Sequence, residues 1–258
     1  MKNYLLGLFI FLFSISVIVS CTDPIEPEPE PEPTPWDNLN PASNQWGLVI
    51  NYTAKWCSPC GSWGVPLLND AINKGNVVGI AVKASGDDSY NASLYSGFLN
   101  DRTDGGGIPA FWFGDTKSTN ISTLNTLLAR TPKLGVDMKH QYSGDSMIVY
   151  SSVNTMGNFE PGEYYLSIIV QEDNLQYSQA GVSDPNYKHK YVARAAYNGA
   201  TYGVPVTLTQ GVKNNFRHAI YMDPSWVKAN CYASVVVYKK EGTTKPVYKF
   251  QNAKWSRP

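Results

Sequence analysis

Leu48-Val49-Ile50-Asn51-Tyr52-Thr53-Ala54-Lys55-Trp56-Cys57-Ser58-Pro59-Cys60 decides how this chain is read. Gly47 to Tyr52 is an apolar run of strand length, and two cysteines spaced Cys-x-x-Cys follow it after a short turn. A second apolar run, Val77-Val78-Gly79-Ile80-Ala81-Val82, reads as a buried parallel strand, and the interval has the length of a crossover helix. The expectation is a βαβ unit with the cysteine pair at its first strand-to-helix junction. Downstream, Tyr90 to Asn100 reads as helical and Gly107 to Phe113 opens another strand. Ser118 to Arg130 then sets Ile121, Leu124, Leu127 and Leu128 at helical spacing, with Thr119 or Asn120 as the cap.

Two chemistries use Cys-x-x-Cys. Zinc wants four ligands, and the sequence offers no second Cys pair, only the distant Cys231, His140, His189 and His218. Trp56 before the first Cys and Pro59 before the second fit a redox site better, so no metal is expected. At a helix N-terminus, free amide N–H groups and the macrodipole favour a thiolate, which makes Cys57 the expected nucleophile. Cys60, one turn later, is the expected resolving thiol. Pro59 suits the first helical turn, where no amide donor is missed, and Trp56 can shield the site while offering an apolar contact surface. Thiol–disulfide exchange of this kind calls for no cofactor.

On these residues, 47 to 132 resemble the thioredoxin-fold family. Leu48 to Cys60 follows that family's strand and active-site motif, and Gly107-Ile108-Pro109 is similar to its cis-proline loop. The resemblance implies an α/β domain over 36–132, a central sheet flanked by helices, with Cys57 and Cys60 catalytic and Trp56, Ile108 and Pro109 binding substrate. By the same analogy Ile108–Pro109 is cis, so that Ile108 can pair with an extended substrate while the ring leaves no room for a metal. An ordinary trans proline at a strand entry remains open on base rates.

Two departures stand out. Many thioredoxins place a buried Asp beneath the dithiol as proton acceptor; here Asn51 holds that place, and an amide takes no proton at neutral pH. Resolution would then use water or a carboxylate such as Asp87, Asp88 or Asp104, or would be slow. Gly105-Gly106-Gly107 also makes the Asp101 to Gly107 approach permissive, giving either a wider substrate groove or simply a flexible surface loop.

Ahead of this domain, Lys2 and the apolar Leu5 to Val19 read as a secretory leader over 1–20, too short for a membrane span. Ile18-Val19-Ser20-Cys21 resembles a bacterial lipobox, which implies lipidation of Cys21 and lasting attachment to a membrane. The Pro/Glu alternation of 21–35 cannot form a helix or a ladder and is expected to be an extended stalk of about 3.1 Å per residue. The surroundings expected are therefore the bacterial cell envelope, periplasmic or surface-exposed.

From about Lys133 helical spacing gives way to short β-branched and aromatic runs. Met147 to Val153, Tyr164 to Gln171, Val204 to Thr209, Ala233 to Tyr238 and Val247 to Phe250 are separated by Pro161-Gly162, Asp184-Pro185, Asn198-Gly199, Asp223-Pro224 and Glu241-Gly242. The expectation for 133–258 is an all-β, immunoglobulin-like antiparallel sandwich, with Leu166, Ile168 and Val170 inward and Ser167 and Gln171 outward. Ile168 to Asp173, Lys188 to Gly199 and Val247 to Ala253 resemble the C-terminal part of the Omp28-like lipoproteins of the Bacteroidetes, which implies location and architecture more than activity. His189 and Arg194 are expected in internal hydrogen bonds or ion pairs, and Cys231 as a buried unpaired thiol.

The 258 residues carry 21 Lys plus Arg against 21 Asp plus Glu, a balance without the basic footprint that phosphate-backbone binding needs, so nucleic acid is not an expected partner. At 43% hydrophobic residues, the chain can bury a core. The function this reading predicts is exchange of disulfides in secreted proteins, with a possible membrane redox partner to recycle the dithiol. Its rival is a non-catalytic envelope or surface binding lipoprotein on a thioredoxin-like scaffold.

Overall fold

Every residue of Gly47–Thr53 (β1) and of Val77–Lys83 (β2) is buried, as parallel strands covered on both faces must be. They pair in parallel from Gly47↔Val77 to Thr53↔Lys83. The crossover between them is helical from Ser58, passes through a π-helical turn, Cys60–Gly64, and ends as α1, Val65–Ile72. The computed structural model describes residues 34–100, 107–242 and 247–257. The leader 1–20, Cys21, the stalk as far as Pro33 and positions 101–106 of the glycine-rich loop, Asp104 included, lie outside the described residues.

Next come α2 (Ala92–Leu99), β3 (Ala110–Phe113), β4 (Thr116–Lys117) and α3 (Ile121–Leu128). Both helices start on an Asn whose side chain accepts a backbone N–H, Asn91 from Leu94 and Asn120 from Ser122, so Asn120, not Thr119, is the cap. β3 runs antiparallel to β1, with Asn51 opposite Phe111.

The later strands are β5 (Leu134–Ser143), β6 (Ser146–Thr155), β7 (Glu163–Glu172), β8 (Leu175–Gln176), β9 (Lys188–His189), β10 (Val192–Ala196), β11 (Val204–Val206), β12 (Lys213–Tyr221), β13 (Cys231–Glu241) and β14 (Val247–Trp255). Five of them, β7, β10, β11, β13 and β14, do not stand apart but continue the sheet of the first half. Val192 of β10 pairs in parallel with Ala81 of β2, while β10 also runs antiparallel to β7. Strands from both sides of residue 133 thus share one mixed nine-stranded sheet in the order β14-β13-β7-β10-β2-β1-β3-β4, with β11 beside β7. A smaller antiparallel sheet, β12-β6-β5, packs its apolar face on β7 and β13. The protein is therefore a mixed α/β structure, a large mixed sheet flanked by few helices plus a small antiparallel sheet, and Thr34–Pro258 forms one compact unit.

Two cores follow from this layering. Val136, Val149, Leu166, Ile168, Val170 and Val235 fill the space under the small sheet. Leu48, Ile50, Val78, Ile80, Phe111 and Leu124 join Ile169, Tyr238 and Phe250 in the other. From Leu166 to Glu172, β7 consequently has no solvent face. Ser167 and Gln171, expected outward, are buried; Ser167 Oγ donates to Thr201 O, and the Gln171 amide donates to Gly79 O at 2.6 Å and Tyr191 O at 3.1 Å. A buried amide left without partners would cost on the order of 1–3 kcal/mol, so these bonds tie β7 to β2 and fix how the two regions meet. The N-terminal approach is shared too: Trp36 meets Tyr150 edge-on at 5.5 Å and donates its indole N–H to Phe216 O, placing the residues before β1 on the small sheet.

Candidate functional site

Cys57 and Cys60 are joined as a disulfide, with a Cα–Cα distance of 5.2 Å. β1 ends at Thr53, the turn 54–57 reverses the chain, and the helix begins at Ser58, so Cys57 sits at the N-terminus. Its carbonyl accepts the Cys60 N–H at 3.1 Å and the Gly61 N–H at 3.3 Å. Pro59, φ −59°, lies in the first turn, where a missing amide proton leaves nothing unsatisfied. The Cys60 N–H also lies 3.2 Å from Cys57 Sγ. A sulfur so placed would, once reduced, receive an amide donor and the positive end of the helix, the conditions that favour a thiolate.

Of the two residues only Cys57 keeps any surface, 4% against 0% for Cys60. The Ile108–Pro109 peptide bond is cis, and Ile108 O lies 3.5 Å from Cys57 Sγ. The Pro109 ring packs on Gly64 so closely that a β-carbon there would sit 3.2 Å from Pro109 Cβ. Trp56 and Trp63 flank the pair, 55% and 41% exposed. Trp56 is held by a bond from its indole N–H to Ser85 O at 2.9 Å, and Trp63 leans on Phe111. Two exposed indoles, one just before Cys57 and one a turn after Cys60, offer apolar contact at small entropic cost. Asn51 lies buried on β1, and its Oδ1 has no hydrogen-bond partner among the described residues.

Beside the turn lies a buried polar cluster. Lys83, the last residue of β2, is almost fully buried and forms an ion pair with Asp87 at 3.3 Å. Burial pushes the Lys83 ammonium down from its ordinary value, against the opposing pull of Asp87. Burial also raises Asp87, but Lys83, the Ser89 and Lys55 amides and the Tyr177 hydroxyl outweigh it and hold the carboxyl below its ordinary range. The Lys55 N–H, two residues before Cys57, donates to Asp87 Oδ2 at 2.6 Å, so Asp87 braces the turn. Asp88 pairs with the Lys55 ammonium at the surface. Burial and then the Lys83 charge push His189 down to about 4. Lys83 Nζ lies 3.0 Å from His189 Nδ1, and His189 Nε2 lies 3.2 Å from Tyr177 O. A charged ammonium can only donate, so Nδ1 accepts and the ring proton sits on Nε2. Tyr177 stacks on the imidazole at 3.8 Å and donates its hydroxyl to Asp87.

Tyr177 and His189 come from the C-terminal half, as does a strap that crosses the cysteine turn. Gln179 is buried, and its amide faces the carbonyls of Ala54, Lys55 and Cys57. Ala180 N–H donates to Lys55 O at 2.7 Å. A β-carbon on Gly61 would lie 2.1 Å from Ala180 O, and one on Gly181 2.1 Å from Ser58 O, so both glycines are required by contact. The structure thus brings Cys57, Cys60, Pro59, Trp56, Ile108 and Pro109 together, and Asn51 lies on the strand that leads to them. Sequence reasoning missed Lys83, Tyr177 and Gln179. Lys83 directly after an apolar run was a signal for a buried cation; the strap carries no periodic or motif signal at all.

Elsewhere, Arg194 pairs with Glu172 at 3.3 Å, and Cys231 is a buried free thiol pushed up by burial to about 12. Among the described residues there is no cluster of three or more His, Cys, Asp or Glu able to hold a metal, and no helix long and apolar enough to cross a membrane.

The family model for outer membrane protein Omp28 matches residues 110–256. Among solved structures, HBP35 of Porphyromonas gingivalis superposes with a TM-score of 0.69 at 15% identity, over 84% of this chain and 76% of that one, a likeness of fold. A domain of the outer membrane lipoprotein Omp28 from Porphyromonas gingivalis matches 50% of this chain and 89% of its own length, at 14% identity and a TM-score of 0.35. No curated protein matches the sequence. With the family model matched over more than half of its length, the chain belongs to the Omp28 outer membrane protein family, and so to the cell envelope.

Proposed function

We propose that this protein is a thiol–disulfide oxidoreductase of the cell envelope, tethered through a lipidated Cys21 and acting on disulfides of secreted proteins. The observation that carries the reading is the Cys60 amide 3.2 Å from Cys57 Sγ at the start of a helix, with the Ile108 carbonyl beside the same sulfur. Residues 36–132 are read as its thioredoxin-like part and 133–258 as an Omp28-like sandwich whose second layer, β14-β13-β7-β10 with β11, continues into the shared sheet.

In the reduced protein the Cys57 thiolate attacks one sulfur of a substrate disulfide. One bond forms, the substrate S–S bond breaks, and the leaving thiolate takes a proton from solvent. Cys60 then loses its proton and attacks Cys57 Sγ, releasing the second substrate thiol and restoring the oxidised pair. Trp56, Trp63 and the Ile108–Pro109 segment offer the contact surface for an extended polypeptide. Asn51 takes no proton, so the Cys60 proton leaves by water or by a nearby carboxylate, of which Asp87 is already engaged with Lys83. Each turnover consumes two electrons, which a membrane-bound or soluble dithiol donor must return.

Cys60→Ser, expressed in the full chain, should accumulate mixed disulfides on Cys57 that a reductant dissolves, and wild-type protein should accelerate reduction of a model disulfide such as insulin. A second reading is favoured by the 4% exposure of Cys57 and the strap across its turn: an envelope binding protein with the disulfide as a staple. Absence of both adducts and acceleration would refute the oxidoreductase reading and favour that one instead.

A further inference from the structure

We propose that Gln179, supplied by the C-terminal half, is a positioning residue of the Cys57–Cys60 couple. Its amide fixes the carbonyls of the cysteine turn and, through them, the N–H that faces Cys57 Sγ. The proposal deepens the oxidoreductase reading and rests on it for its biological meaning.

Gln179 Nε2 lies 3.1 Å from Ala54 O, 3.2 Å from Cys57 O, 3.4 Å from Lys55 O and 3.1 Å from Ala180 O. An amide nitrogen carries two protons, so these oxygens share them, and only the nitrogen end can face so many acceptors. Carbonyl dipoles that converge beside a dithiol set up a negative potential that disfavours a thiolate. The donor end of Gln179 offsets it in a pocket where the residue is 3% exposed and water does not screen.

The second effect is geometric. Cys57 O accepts from Gln179 and also from the Cys60 and Gly61 amides, and the Cys60 N–H is the donor 3.2 Å from Cys57 Sγ. Holding that carbonyl holds the first helical turn in register with the sulfur. Ala180 and Gly181 keep Gln179 in place, one by its N–H bond to Lys55 O, the other by contact too close for any side chain.

Reduction of the pair by glutathione breaks the Cys57–Cys60 bond, consumes two glutathione thiols and forms two protein thiols and one glutathione disulfide. Whatever stabilises the Cys57 thiolate shifts that equilibrium toward the reduced protein.

The test uses the full chain with Gln179→Leu, which keeps bulk and removes the donors, and Gln179→Glu, which keeps size and sets an acceptor against the carbonyls. The Cys57 pKa is read from thiolate absorbance of the reduced protein, and the couple is equilibrated against glutathione. In Gln179→Leu the Cys57 pKa should rise by about 0.5–1 unit and the equilibrium constant for reduction should fall about three- to tenfold, a potential about 15–30 mV more negative. Gln179→Glu should move both further in the same direction and carries the test if the Leu variant does not fold. Folded variants with wild-type pKa and potential overturn the proposal, even where their unfolding midpoint drops, because a purely structural Gln179 would lower only the midpoint. A shifted couple with neither catalysed insulin reduction nor Cys60→Ser adducts would defeat the oxidoreductase reading and leave the role of Gln179 standing. Wild-type catalysis with an unmoved couple would do the reverse.

Discussion

His189 makes the buried cluster beside the dithiol acid-sensitive, and the size of the effect can be worked from its surroundings. The ring is 3% exposed, stacks on Tyr177 and accepts from a lysine ammonium 3.0 Å away, so a proton on Nδ1 would set two cations against each other in a space closed to water. Its pKa is accordingly pushed from 6.5 to about 4. Folded protein therefore binds fewer protons at this site than unfolded protein between those two values. The stability from a neutral His189 is complete above the unfolded pKa and is lost as the pH falls through the folded one. At about 1.4 kcal/mol per unit the loss amounts to about 3 kcal/mol. His189→Gln is the matched perturbation, because its Oε1 can accept from Lys83 and its amide can donate to Tyr177 O without titrating. Urea unfolding of both proteins across the acid range should show wild type losing about 3 kcal/mol more than the variant, while carboxylates common to both cancel. Parallel profiles would mean that His189 is solvated or already charged, and the account of the cluster would be wrong.

Three further variants test the strap and the position beneath the cysteines. Gly181→Ala places a β-carbon 2.1 Å from Ser58 O at a residue with φ +82°, so it should cost at least about 2 kcal/mol in urea unfolding. Gly211→Ala, at φ +71° with nothing within 4 Å, should cost about 1 kcal/mol, and equal losses would deny the strap its tight fit. Asn51→Asp sets a carboxyl in a buried position whose present oxygen has no partner among the described residues. Its pKa should lie well above the ordinary carboxylate value, and turnover of a model disulfide should gain a new pH-dependent limb. An unchanged pH–rate profile would show that Cys60 deprotonation does not pass through that position.

How much of this was legible in the sequence depends on how local the cause was. β1, the helix start and the cysteine pair were readable because one continuous stretch contains the apolar run, the turn and the first helical turn. The cis proline followed from resemblance rather than from spacing. Asn91 and Asn120 cap their helices through bonds within three residues. By contrast, the pairing of Val192 with Ala81 joins residues whose strands carry no mark of each other. The alternation of Leu166, Ile168 and Val170 suggested a one-sided strand, yet Ile169 between Ser167 and Gln171 lies in the second core, and a second apolar face is what a doubly covered strand needs. Gln179 was invisible because its role depends on where the carbonyls of 54, 55 and 57 point, which no residue type announces.

These non-local features bear on what the cysteine turn can be. In the first half alone, β2 would have an open edge at Ala81, Lys83 would keep Asp87 but lose His189 and the Tyr177 ring over its ammonium, and the carbonyls around Cys57 would face solvent instead of Gln179. Burying a charged pair is stabilising only when its remaining hydrogen-bonding capacity is met, and here residues 177 and 189 meet it. The C-terminal half is thus part of the wall of the dithiol site. Its contacts with the turn from which Cys57 would act are those of Gln179 and Ala180, and Tyr177 bonds the Asp87 that braces it.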